Sequence, residues 1–256
     1  MAVGKVRYPG RDIWRKAATL TAAIIFPPTC LGCGILVAAP GTLCGLCWTG
    51  LRFIDKPYCA VMGTPFSHDL GEGSLSAEAI ADPPPFRRAR AAVIHGGVPR
   101  HMVHGLKYRD RTDLAPWMAR WMVRAASELV AECDVIIPVP LHPHRFWTRR
   151  FNQSAELARA MATQSGRPFA PEALVRVKRT RQQVGLNSNE RAANVRGAFH
   201  VPEKREIDVA GRAVLLVDDV YTTGATIKAA SRALLRAKAT AVDVVTFGRV
   251  VSGVAD

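Results

Sequence analysis

The chain has 256 residues, 48% of them apolar and 22% charged, with 35 Lys and Arg against 21 Asp and Glu for a formal net charge of +14. This composition excludes a disordered polyelectrolyte and a collagen-like repeat, and the length suits one main domain with a small appendage. The longest early apolar run, Ala17 to Phe26, falls short of the roughly 18 to 20 residues that span a bilayer, and no small-x-small cleavage site follows it. A cytoplasmic protein without a membrane span is therefore expected.

Residues 1–28 read as a basic amphipathic segment, with a short helix from Asp12 to Phe26. Residues 29–66 read as a small ribbon. They carry Cys30-x2-Cys33 and, ten residues later, Cys44-x2-Cys47. Four thiolates at this paired spacing suit a tetrahedral Zn²⁺ with no open position, a structural ion standing in for a core that so few residues cannot build. Two disulfides in an exported protein, or an iron–sulfur cluster, are the alternatives. Cys59 is a candidate substitute ligand, Cys133 a small core residue before an apolar strand, and His101 and His104 surface or packing groups. Residues 67–85 lack an apolar period and end in three prolines, so they read as an extended linker to a domain over 86–256. No internal repeat is expected.

Within 86–256, helix formers at three and four spacing predict helices over Asp113–Val130, Asn152–Thr163 and Ala225–Lys238. Short β-branched runs at Asp134–Pro138, Ala213–Val217 and Ala241–Phe247 suit buried parallel strands. The alternation predicts an α/β fold with ligands beyond the carboxyl ends of the strands.

The segment Val214 to Thr226 carries the most chemistry: four apolar residues, then Asp218 and Asp219, then a Thr/Gly bend opening a helix. Backbone amides at the helix start, freed by Gly224, with the hydroxyls of Thr222, Thr223 and Thr226, form a cradle for a phosphate. The two carboxylates suit sugar hydroxyls or a hydrated Mg²⁺. Phosphate on one side and hydroxyls on the other describe a ribose 5-phosphate. Neither a P-loop nor a dinucleotide fingerprint is present.

This string resembles the phosphoribosyl pyrophosphate (PRPP) motif of type I phosphoribosyltransferases. Together with Leu106-Lys107-Tyr108, Val135 to Leu141, Arg149 with Phe151-Asn152-Gln153, Arg179-Thr180 with Gln183 and Leu186, and Arg191 with Asn194, Ala198 and Phe199, it resembles the ComF family of phosphoribosyltransferase-like proteins. The resemblance implies a type I phosphoribosyltransferase-like parallel-sheet domain preceded by a small zinc ribbon. It implies PRPP contacts from Asp218 through Thr226, including Val220, Tyr221 and Ala225, and a pyrophosphate turn at Pro140 and Leu141 neutralised by Arg145 and Arg149. Asn152 would cap the next helix and point amides into the site. A hood between Leu174–Val177 and Ala198–Val201 would close over PRPP with Gln183 and Arg179, the latter catalytic alongside Asp218 and Asp219. Two departures stand out. Arg150 replaces the family's usual Gly, and the ribbon's third cysteine pair is reduced to Cys59 and Met62, which argues for one zinc rather than two.

Two functions follow as expectations. One is Mg²⁺-dependent transfer of phosphoribosyl from PRPP to an acceptor. The other is handling of single-stranded DNA in uptake, with a DNA-uptake or helicase-type protein partner, which the 14 basic against 6 acidic residues of 142–212 would favour.

Overall fold

The computed structural model describes residues 27–141, 151–178 and 195–251. The expected helix Asp12–Phe26 lies outside them. The chain divides into two compact units, Met1–Thr49 and Gly50–Asp256. The expected boundaries at 66 and 85 therefore fall inside the larger unit. Residues 67–85 also hold a helix, Ala77–Ala81, capped by the Ser76 side chain, and its Ala79 is buried. The three prolines that suggested a connector follow that helix rather than a structureless stretch.

In the first unit, Thr29 and Leu36 form an antiparallel bridge around a turn that holds Cys30 and Cys33, and helix α1 (Gly45–Thr49) follows Cys44.

The second unit is built on four strands: β1 (Ala89–Ile94), β2 (Val135–Pro138), β5 (Ala213–Tyr221) and β6 (Ala241–Arg249), all parallel, in the order β1-β6-β5-β2. Two of the expected strands run further than their apolar cores: β5 continues through Asp218 and Asp219 to Tyr221, and β6 to Arg249. Short strands β3 (Val175–Arg176) and β4 (Phe199–His200) pair antiparallel, where the hood's flanking strands were expected. The helices are α2 (Ala77–Ala81), α3 (Gly97–Tyr108), α4 (Ala115–Ala125), α5 (Ser127–Glu132), α6 (Gln153–Ser165) and α7 (Ala225–Arg236). The single helix expected over Asp113–Val130 is broken into a 3-10 turn at Thr112–Leu114, α4 and α5, with Ala126 non-helical between the last two.

Alternate residues of the central strands, Val135 and Ile137, Val214 and Leu216, Val242 and Val244, join one buried cluster with Ile227, Ala230 and Leu234 of α7. That alternation is the period of a strand with both faces covered. Helices α4 and α6 also pack on the sheet. Strand β1 is not evident from the sequence, because Arg90 interrupts a short run in which three of the other residues are alanines. Arg90, 8% exposed, is neutralised by Glu128 at 2.8 Å and bonded to the Ala60 and Ala89 carbonyls.

Candidate functional site

The four thiols Cys30, Cys33, Cys44 and Cys47 converge, all four sulfurs lying within 4.8 Å of one another. Zinc–sulfur bonds of about 2.3 Å imply a tetrahedral edge of about 3.8 Å, and the Cys33 and Cys44 sulfurs are 3.8 Å apart. Backbone amides point at sulfur as thiolate ligands require: Gly32 N and Cys44 N reach Cys30 Sγ at 3.4 and 3.2 Å, and Cys47 N reaches Cys44 Sγ at 3.4 Å. Burial pushes the Cys30 thiol up, but amide bonds from Cys33, Cys44 and Gly32 outweigh it and bring it to about 6. Burial and the three neighbouring thiols push Cys47 up. No disulfide links these residues, so the arrangement fits the structural Zn²⁺ of a ribbon. Cys133 is a buried core thiol that donates to the Val130 carbonyl, and burial raises it to about 11.

At the other candidate centre, three elements meet at the carboxyl end of β5. Asp218 Oδ1 accepts from Ser154 Oγ at 2.8 Å and from the Asp219 amide at 2.9 Å. Ser154 is placed by the start of α6, where Asn152 caps the helix by accepting from the Ser154 amide at 3.1 Å. The Asn152 side-chain nitrogen donates to the Val139 carbonyl at 3.0 Å, tying α6 to the end of β2. Asp219 is 7% exposed and its Oδ2 lies 2.6 Å from Lys107 Nζ, at the last turn of α3. Each carboxylate keeps its other oxygen uncommitted among the described residues. Burial first, and then the charge of Asp219, raise Asp218 to about 7 against the pull of Ser154, the Asp219 amide and Lys107.

Past the strand, Gly224 turns the chain in the left-handed region at φ 71° and opens α7. Among the described residues, the amides of Thr222, Thr223, Gly224 and Ala225 donate to no protein oxygen. The Thr223 hydroxyl is buried and has no partner there either. Successive unused amides at a helix start, beside a buried hydroxyl, are what an anion would satisfy. Thr222 is exposed, Val220, Ala225 and Thr226 are partly buried, and at the end of β2 Pro140 is buried and Leu141 partly so.

Tyr221 is a buried member of the string. It is 1% exposed, and its hydroxyl would lie 2.2 Å from a Cβ built on Gly224. The side chain supports the bend from the core. Residues Arg145, Arg149, Arg179 and Gln183 lie outside the described residues. Sequence reasoning missed two groups that hold the acidic pair, Lys107 and Ser154. Lys107 sits within a motif of the family, but nothing in its local sequence links it to a strand more than a hundred residues away.

A parallel sheet whose acidic strand end runs into an amide-lined bend, preceded by a four-thiol ribbon, defines a phosphoribosyltransferase-fold protein with an N-terminal zinc ribbon. Consistently, the phosphoribosyl transferase domain family matches residues 153–253 and the double zinc ribbon domain family matches residues 21–80. Among curated relatives, the DNA utilization protein YhgH of Escherichia coli K12 is 30% identical over 208 residues, covering 79% of this chain and 88% of that protein. The competence protein ComFC of Bacillus subtilis is 24% identical over 81% of this chain and 84% of its own. Competence protein F of Haemophilus influenzae is 37% identical over 40% of this chain and 44% of its own. A solved glutamine PRPP amidotransferase from B. subtilis aligns at 22% identity and a TM-score of 0.35 over 56% of this chain, which spans about a quarter of that one, 26%. The chain belongs to the ComF family. Among the described residues no helix is long and apolar enough to cross a membrane.

Proposed function

We propose that the protein binds PRPP with Mg²⁺ and transfers its phosphoribosyl group to an acceptor. The observation that carries this reading is the run of unused amides from Thr222 to Ala225 beside the buried Thr223 hydroxyl, a few residues from Asp218 and Asp219. The 5-phosphate would take the amides, and the uncommitted carboxylate oxygens would take ribose hydroxyls or Mg²⁺. Bound Mg²⁺ supplies charge neutralisation for a departing pyrophosphate. Lys107 holds Asp219, and Ser154 holds Asp218, in fixed positions before ligand arrives, so little reorganisation remains. Arg145 and Arg149 would meet pyrophosphate, while Arg179 and Gln183 would cover the site.

With saturating PRPP and Mg²⁺ the melting temperature is expected to rise, by linkage to the folded state. Asp218→Ala combined with Asp219→Ala should abolish the rise. No shift in the unaltered protein would reject PRPP binding. Release of pyrophosphate on adding candidate bases would then identify the acceptor class.

A second reading, handling of single-stranded DNA, is favoured by what the relatives are called, DNA utilization protein and competence protein. The basic excess over 142–212 supports it. Affinity for a single strand should then fall steeply with salt and with Arg179→Ala and Arg181→Ala; a flat salt response rejects it.

A further inference from the structure

Residues 57–66 repeat the backbone of residues 28–37. Cys30 N donates to the Ile35 carbonyl at 2.7 Å, and Cys59 N to Thr64 at 2.8 Å. Gly34 N donates to Cys30 at 3.0 Å, and Gly63 N to Cys59 at 2.8 Å. Val37 N donates to Pro28 at 3.0 Å, and Phe66 N to Pro57 at 2.9 Å. Bridges Thr29–Leu36 and Tyr58–Pro65 correspond, and Gly34 and Gly63 both have positive φ.

The likeness continues into the second half of each ribbon. Cys44 N reaches Cys30 Sγ at 3.2 Å, and Ser76 N reaches Cys59 Sγ at 3.2 Å. Leu31 N donates to Thr42 at 3.1 Å, and Ala60 N to Ser74 at 2.9 Å. Cys47 N points at Cys44 Sγ at 3.4 Å, and Ala79 N at Ser76 Oγ at 3.3 Å. Each half ends in a five-residue helix, α1 and α2. The expectation of no internal repeat is thereby corrected. The positions of Cys30, Cys33, Cys44 and Cys47 are filled in the second ribbon by Cys59, Met62, Ser76 and Ala79. The family's name implies two zinc sites, but this set has one thiol, a thioether, a hydroxyl and a methyl group, and does not fit Zn²⁺.

The second ribbon has other connections. Cys59 and Met62, both 0% exposed, and Ala79 belong to the same buried cluster as Tyr221 and Ile227. The Met62 carbonyl accepts from Arg249 Nη1 at 2.9 Å, and Glu78 Oε2 lies 3.4 Å from Arg249 Nη2. The Arg249 guanidinium sits over the Tyr221 ring at 4.3 Å, and the Tyr221 hydroxyl lies beneath Gly224. From the end of α2, Asp82 pairs with Lys228 at 2.7 Å, and the Lys228 amide donates to the Gly224 carbonyl at 2.7 Å. Two separate lines of contact therefore start in the second ribbon and end on Gly224, the residue that shapes the bend.

We propose that the second ribbon, having lost its metal ligands, serves as a metal-free buttress of the 222–226 bend, with Arg249 as the positioning residue that joins the two. The proposal rests on the reading of that bend as an anion site only for its consequence on ligand affinity; the mechanical link is independent of it.

Hydrogen exchange on the full-length, zinc-loaded protein without ligand tests the link. Arg249→Met should accelerate exchange across 228–231, the first hydrogen-bonded amides of α7, by about tenfold or more, leave β2 unchanged, and keep zinc at one per chain. Arg249→Lys should restore part of the protection. Where Arg249→Met does not fold, Glu78→Gln and Asp82→Asn, which alter partners at the surface end of each line, should give the same local loosening. Unchanged exchange over 228–231 in all of these variants, or a second zinc in the unaltered protein, overturns the proposal. With PRPP and Mg²⁺, Arg249→Met should also weaken binding by about tenfold, with no weakening counting against the buttress. If the unaltered protein fails to bind PRPP while exchange still responds to Arg249→Met, the proposed function falls and the buttress stands.

Discussion

The two ribbons share a hydrogen-bond scaffold and differ in what closes it. In the first, four sulfurs face one another, and apolar side chains remain outside: Leu36 is 69% exposed and Leu46 85%. In the second, the ligand positions have become Met62 and Ala79, buried in the core of the larger unit. The knuckle turn thus does not depend on metal in itself. A stretch this short needs either an ion or a large neighbour to bury against, and the second ribbon has the neighbour.

The largest expected effect is on the first ribbon. Chelation, or Cys30→Ser with Cys44→Ser, should remove the zinc and with it hydrogen-exchange protection over 28–49, since zinc contributes about 10–16 kcal/mol to comparable small sites. Protection in 50–85 and in the sheet should persist; its loss there would break the comparison. Next in size, Met62→Cys with Ser76→Cys and Ala79→Cys should rebuild a four-thiol set around Cys59, and metal analysis should find two zinc ions per chain instead of one.

A smaller contrast lies in the glycines. Both Gly34 and Gly63 have positive φ, so Ala is strained at either by about 1 kcal/mol. A Cβ at 63 would also lie 2.4 Å from the Ala89 carbonyl oxygen, whereas one at 34 meets nothing within 4 Å. Gly63→Ala should therefore be the costlier change in urea denaturation, by at least about 1 kcal/mol.

A control touches neither ribbon. Asp218 has its folded value raised from 3.8 to about 7, so the folded state holds an extra proton between those values. Its contribution to stability is fully present below about pH 4 and is lost as the pH rises to about 7. Asp218→Asn should remove that component, flattening the change in melting temperature between pH 5 and pH 7.5 while zinc content stays the same.

Much of this architecture is legible from residue patterns. Continuous β-branched runs locate β2, β5 and β6, because strands buried on both faces need apolar residues at every position. The cysteine spacing locates the first ribbon, because ligand chemistry leaves a visible mark. The second ribbon leaves half a mark: Cys59 and Met62 stand out as a reduced cysteine pair, but Ser76 and Ala79 retain none of the chemistry, only the backbone bonds. Lys107 and Ser154 are hidden for a different reason. Their roles arise where α3, α6 and β5 meet in space, which no local pattern records.

The placement of Tyr221 has an evolutionary corollary. Its hydroxyl fills the volume that any side chain at 224 would require, so the bend takes its form from the interior outward. The exposed side chain at Thr222 carries no such duty. On the proposed function, drift at 222 would alter which side chains meet the ligand while the four amides stay where they are; drift at 221 or 224 would move the amides. Most of the grip would then come from the backbone and part of the discrimination from residue 222, so selection could tune one with little effect on the other.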